Sequence, residues 1–234
     1  MVDKWLHLEE LSGDPWILPI WGAVNEAEDK GKIKSLPNDI YATGLPISLR
    51  LNILPRIVKR MNAEVKELYS IAEKHAESYV FTETKDGYAL RIDNDLKYNL
   101  ICDIDSLLFE IHSVCELMTT LFKSLYSHTG QEIDEKKVGL KIKSIIDSAG
   151  QDSRWFGELA GHRNLFIHEA TPYLAIDISN GPEKYELLIM KENLKSFEDD
   201  SKFVTISELN NIVQGFVNSK PLIQSDLINL FKKL

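Results

Sequence analysis

Cysteine is nearly absent from this chain, with two among 234 residues, Cys102 and Cys115. Both fall inside one periodic apolar stretch, and a helix over it would hold them about 20 Å apart along its axis, beyond disulfide reach. Two reduced core thiols in a cytoplasm is the reading. Long apolar runs are also missing. No segment approaches the roughly 18 consecutive apolar residues of a spanning helix. Met1–Glu10 carries Asp3, Glu9 and Glu10 and lacks the apolar centre of a secretory signal. A cytoplasmic protein with no membrane association is therefore expected. Positive charge is in deficit, with 27 Lys and Arg against 36 Asp and Glu, a net −9. A general basic field for coating nucleic acid is excluded, and any polyanion must meet a local positive spot. The chain has no His-Glu-x-x-His, no glycine-rich phosphate loop and no Gly-x-Ser-x-Gly, which sets aside metalloproteases, P-loop enzymes and α/β-hydrolases. His112-x-x-Cys115 has metal-like spacing without a second pair, so no metal or other cofactor is expected.

What the chain does have is helical periodicity. Residues to about Gly44 read as an irregular segment with one short helix near Ala23–Gly31, and Trp5, Trp16 and Trp21 supply area for packing on a larger body. A long amphipathic helix is expected after Pro55, with Ile57, Val58, Met61, Val65, Leu68, Ile71, Ala72 and Tyr79 on its stripe. His75 falls near that stripe and reads as a satisfied, partly buried histidine. Lys85-Asp86-Gly87 marks a turn between short β-prone runs. From about Asp95 to Ser127 an unbroken apolar period, Leu96 through Leu125, predicts a central helix stopped by Gly130. A shorter helix over Lys136–Ser148 follows, basic on its outer side. Tyr173–Ile178 and Tyr185–Met190 read as a hairpin. Ser207 is placed as the cap of a last helix, which Pro221 should break near Asn218. The expected fold is mainly α, a helical bundle with a minor β-hairpin and an irregular N-terminal extension. Its divisions are 1–94, an extension with one long helix, and 95–234, the bundle proper.

One further helix, within Ser153–Ala170, departs from the usual pattern. Phe156, Leu159, Phe166 and Ile167 make an apolar stripe, yet Arg163 sits inside it. On an adjoining face Gly157, Gly161, Asn164 and His168 recur at spacings of four, three and four. Each glycine costs a helix about 1 kcal/mol relative to alanine, so two on one face call for a reason. Close approach by another helix or a ligand is such a reason. At about 100° per residue Arg163 and His168 stand about 140° apart, whereas Asn164 and His168 share a face. The bland reading pairs Arg163 with a carboxylate of the central helix, such as Glu110 or Glu116, and lets His168 cap the helix end. His162, Glu158 and Glu169 are weaker candidates, better read as solvated or differently directed neighbours.

Arg163-Asn164-Leu165-Phe166-Ile167-His168 resembles the Arg-polar-x-x-x-His motif of the HEPN superfamily, small helical domains many of which are metal-independent ribonucleases. The resemblance spans roughly Asp95–Leu234, and the hairpin before the last helix lies outside the family's minimal four-helix core. It implies an RNA endonuclease, in the manner of a toxin or a stress or defence effector, with Arg163, Asn164 and His168 as catalytic residues. It further implies a homodimer whose two motif helices share one cleft, single-stranded RNA as substrate, and an antitoxin or regulatory protein as partner. A histidine of ordinary pKa near ~6.5 suits proton transfer at cytoplasmic pH, and arginine offers a fixed fork of donors to phosphate. The alternative is a non-catalytic helical module that binds a nucleotide, RNA or a protein through the same face.

Overall fold

A computed structural model describes residues 14–75, 82–84, 87–90, 92–168, 173–190 and 199–234, with side chains described outside 82–89, 165–168, 190 and 200. The fold is mainly helical with a small antiparallel sheet, as the periodicity predicts. Its helices are α1 (Leu18–Asp29), α2 (Asn38–Ala42), α3 (Gly44–His75), α4 (Asn94–His128), α5 (Glu135–Ser148), α6 (Trp155–His168) and α7 (Ile206–Lys232). Its strands are β1 (Thr82–Thr84), β2 (Gly87–Ala89), β3 (Tyr173–Asp177), β4 (Glu186–Met190) and β5 (Phe203–Thr205).

Helix α4 is the spine of the core. Asp93 caps it by accepting the Asp95 N–H, and its apolar period buries Leu100, Ile104, Leu107, Leu108, Ile111 and Phe122, each at most 1% exposed. Gly130 (φ +77°) turns the chain out of it, where a side chain would be strained. Helix α3 lies along α4 and starts eleven residues earlier than expected. Ile47, Leu51 and Leu54 continue the buried stripe upstream of Pro55, so tertiary packing holds the helix through a proline inside it. The same correction applies to α7. Thr205, not Ser207, is its cap, in a reciprocal box with Glu208, and the helix runs through Pro221 without a break. Buried Phe216, Ile223 and Leu227 lie on both sides of that proline.

The segment before Gly44 is more helical than expected. Pro19 opens α1, whose Ile20 and Val24 are fully buried, and Trp16 donates its indole N–H to the Lys220 carbonyl at 2.9 Å. Trp21 is half-buried against Tyr41, 4.9 Å between ring centres. Trp5 and Tyr79 lie outside the described residues. The expected hairpin forms between β3 and β4, in register Tyr173↔Met190 to Asp177↔Glu186, and β5 adds a third strand on β4. β1 and β2 pair around the 85–86 turn positions, which lie outside the described residues. Cys115 is buried, but Cys102 is exposed, so only one of the two thiols belongs to the core.

A polar cross-link joins α3 to α4. Asp103, 5% exposed, receives both arms of Arg60, one of them at 3.0 Å from Nε to Oδ2. Glu64, one turn along α3, has an enclosed Oε2 with no hydrogen-bond partner among the described residues. Burial, then the Asp103 charge, pushes its carboxyl above the ordinary range. A raised carboxyl favours the folded state when protonated, and that contribution fades as pH climbs from the unfolded value of about 4.3 through the folded one. Glu64→Gln, which fixes the neutral form, should therefore raise the melting temperature at pH 7 to 8 and leave it unchanged near pH 3. Melts across that range check the sign; a lower melting temperature at pH 8 would contradict it.

Candidate functional site

Helix α6 is held by its first turn. Asp152 accepts the Arg154 N–H at 2.9 Å and the Arg154 Nε at 2.7 Å, and this arginine contact holds the Asp152 carboxyl below its usual range. Trp155 then drives into α7. A Cβ added at Gly215 would stand 2.4 Å from the indole, so only glycine leaves room for the ring. The indole N–H donates to Ser219 Oγ at 3.1 Å, and that hydroxyl donates onward to the Gly215 carbonyl at 2.7 Å. Phe216 meets the same ring edge-on at 6.0 Å. With Leu159 at 2% exposure one turn later, this face of α6 is sealed against the bundle. Phe156, given to the apolar stripe by its spacing, is only half-buried and touches Trp155 from the side at 5.5 Å.

The opposite face is open. Gly157, Glu158, Ala160, Gly161 and Asn164 are all exposed. A Cβ at Gly161 would meet nothing within 4 Å, and one at Gly157 would meet only Lys143 Nζ at 3.8 Å. Packing against the described residues thus does not explain the glycines. Lys143 comes from α5 and lies over the Phe156 ring, 5.9 Å from its centre, which places a cation beside the glycine face. Sequence reasoning saw α5 as basic on its outer side without linking this lysine to α6.

Arg163 is half-buried, in register with the apolar stripe. Its Nε is enclosed and has no hydrogen-bond partner among the described residues, and Nη1 lies 3.5 Å from Asn164 Oδ1, a contact at the limit of a hydrogen bond. The two carboxylates offered by the bland reading are engaged elsewhere: Glu110 pairs with Arg50 at 2.7 Å, and Glu116 faces His112 at 3.6 Å. His162 is half-buried and has a partner of its own. His168 closes α6, one turn beyond exposed Asn164; its side chain, like Glu169, lies outside the described residues. Arg163 and Asn164 therefore stand together at the C-terminal end of the open face. Two hollows of about 960 and 780 Å³ open elsewhere, and neither has a residue between Trp155 and Asn164 in its lining.

Among the described residues no group of three or more His, Cys, Asp or Glu stands ready for a metal, and no helix is long and apolar enough to cross a membrane. Trp155 is the site-building residue that sequence reasoning passed over, because its socket is built 60 residues away at Gly215.

The joint predicts a contrast between two glycines. Gly215→Ala forces Trp155 or α7 to move, an overpacking of about 1–3 kcal/mol, and should lower the melting temperature by several degrees. Gly161→Ala adds its methyl in open space and should hold or raise it, by up to about 1 kcal/mol of helix propensity. Equal destabilisation in the two melts would mean that the placement of α6 is wrong. Compared with protein-family models, curated proteins and solved structures, the chain has no match.

Proposed function

We propose that the chain is a metal-independent RNA endonuclease whose working cleft forms when two copies bring their α6 faces together. The observation that carries this reading is the pairing of opposite faces on one helix. Trp155 and Leu159 seal one side, while among the described residues the Gly157/Gly161 side is open but for Lys143 beside Gly157, and it ends at Arg163 and Asn164. A second α6 laid across the glycines would bring a second Arg163 and a second His168 into the same space.

The chemistry follows from the residue types. His168 takes the proton of an RNA 2′-hydroxyl as that oxygen attacks the adjacent phosphorus. The bond from phosphorus to the 5′-oxygen breaks, and the partner copy's protonated histidine supplies the proton that the leaving oxygen needs. The products are a 2′,3′-cyclic phosphate and a 5′-hydroxyl, and no water or electron is consumed. Arg163 donates to the phosphate oxygens as negative charge gathers on them. The terminal nitrogens of the fork suit this role, Nη1 lying beside Asn164 Oδ1 at 3.5 Å, a contact at the limit of a hydrogen bond. Asn164, exposed beside it, can hold substrate or fix the His168 tautomer. The net −9 charge argues that binding is local and needs both copies' arginines. An antitoxin-like protein that covers the open face is the natural form of control for such an enzyme.

The reading is tested with single-stranded RNA in the presence of a chelator. His168→Ala and Arg163→Ala should each reduce cleavage by about 10²–10⁴-fold, with the fold retained in thermal melts. Asn164→Ala should weaken cleavage without abolishing it. If Arg163 were instead part of a buried ion pair, its loss would cost about 3–5 kcal/mol and unfold the chain at lower temperature. A wild type that cleaves none of a varied set of RNAs would leave the non-catalytic binding module in place of the nuclease.

The dimer has its own test. Gly161→Leu should leave the melt of the monomer intact while removing the dimer boundary in sedimentation, and cleavage should fall with it. A wild type that sediments as a monomer at every accessible concentration would remove the paired cleft.

A further inference from the structure

Four lysines stand on α5 between Lys136 and Ile146 with no acid among them, on a chain whose net charge is −9. Cations elsewhere are spent on the fold: on α3, Arg50 pairs with Glu110 and Arg60 with Asp103. Lys136, Lys137, Lys141 and Lys143 have no ion pair among the described residues. Val138, Ile142 and Ile146, each at most 2% exposed, seal the other side of the helix against the bundle. The lysines are therefore what α5 turns outward, three of them exposed and Lys143 half-buried.

Their placement gives the charge a direction. At about 100° per residue Lys136 and Lys143 lie within about 20° of each other, about 10 Å apart along the axis, with Lys137 and Lys141 in a second row. Lys143 joins the first row to α6: its Nζ is 5.9 Å from the centre of the Phe156 ring and would stand 3.8 Å from a Cβ at Gly157. The row thus runs onto the open face that ends at Arg163 and Asn164. Against these cations stand Asp147 at the end of α5 and Glu158 on α6, while Glu135 at the start is held by Lys123 at 3.0 Å. Lysine is a flexible point charge, which suits a phosphate backbone held in place without base readout. A membrane is a poorer fit, because a helix lies on a bilayer through an apolar face and that of α5 is already buried. Leu140, 65% exposed, is the one large apolar side chain α5 exposes.

We infer that the outer face of α5 is a track that leads single-stranded RNA to the α6 face, with Lys136, Lys137, Lys141 and Lys143 on its backbone phosphates. The inference rests on the ribonuclease reading for its ligand class, and the lysines position the strand without entering the chemistry. The probe is a fluorescent 2′-O-methyl oligouridylate, which lacks the attacking hydroxyl and stays whole, titrated by anisotropy into the full chain over a salt series. Lys136→Gln, Lys137→Gln, Lys141→Gln and Lys143→Gln combined should weaken binding about tenfold or more at low salt. The slope of log affinity on log salt should become shallower by about 0.7 for each phosphate released, about 2–3 in all. Lys59→Gln, Lys66→Gln, Lys74→Gln and Lys184→Gln remove the same charge from α3 and the β3–β4 turn, and should leave that slope in place. The three exposed α5 positions alone should take about 2 from it, which covers any disturbance of the Phe156 contact by Lys143→Gln, and Lys143→Arg should bind as wild type. Cleavage of unmodified RNA by the fourfold α5 variant should show a raised KM at an unchanged kcat.

Equal losses in the two fourfold variants, or an α5 variant that binds like wild type, would overturn the track. So would pelleting with phosphatidylglycerol vesicles that the same α5 variant abolishes, which would assign the face to a membrane. The two readings fail separately. A wild type that binds the probe through these lysines yet cleaves no RNA would retire the nuclease and keep the track. One that cleaves RNA while the α5 variant binds unchanged would do the reverse.

Discussion

A side chain at position 215 has nowhere to go, and the arrangement of the motif helix follows from that fact. Trp155 occupies the space a Cβ would need, and its indole N–H is satisfied by Ser219, which in turn returns a hydrogen bond to the Gly215 carbonyl. A buried tryptophan with an unmet N–H would carry a penalty of about 1–3 kcal/mol; here the socket supplies both the room and the acceptor from one turn of α7. Because Trp155 opens α6, the joint fixes the rotation of the whole helix. The rotation it sets puts Leu159 inward, Gly157 and Gly161 outward, and Arg163 at the border between the two.

The elements most legible in the sequence were those whose period was long and uninterrupted. Helices α4 and α5 lie within a residue or so of their expected ends, and the β3–β4 hairpin forms where the turn residues placed it. Prolines caused the errors in α3 and α7. Pro55 and Pro221 each remove one backbone donor, a local penalty of about 3 kcal/mol, and local rules therefore ended helices there. Burial on both sides outweighs that penalty: Ile47 and Leu51 before Pro55, Phe216 and Ile223 around Pro221. Strand β5 is three residues long, too short for an alternation to show. Its existence depends on β4 offering a free edge, which is a tertiary fact.

The candidate site was legible only in part, and for a related reason. Two glycines and an arginine out of place in a stripe are local anomalies, visible without a structure. Which face they occupy is set by Trp155, whose partner is remote in sequence. The bland explanation for Arg163 needed Glu110 or Glu116, and it was weakened by two other contacts that no spacing on α4 could reveal, Arg50 to Glu110 and His112 to Glu116. The hollow of about 780 Å³ lined by α3, α4 and α7 was invisible for the same reason. Leu54, Leu107, Ile111 and Phe216 each read as ordinary core in their own helices, and only the three converging helices bring them to one opening.

Phe216 joins these two regions physically. One edge of its ring meets Trp155 at 6.0 Å, and the residue also lines the floor of the hollow. Its ring thus meets a packed indole on one side and borders an open hollow on the other. Helix α7 therefore carries the motif helix on one flank and the hollow on the next, with Gly215 and Phe216 adjacent in sequence dividing the two duties. The thin α7 backbone at Gly215 lets α6 come in close, and Phe216 supplies part of the hollow's floor. Exchange of size between these two positions would disturb both regions at once, which is why neither can be understood from its own residues alone.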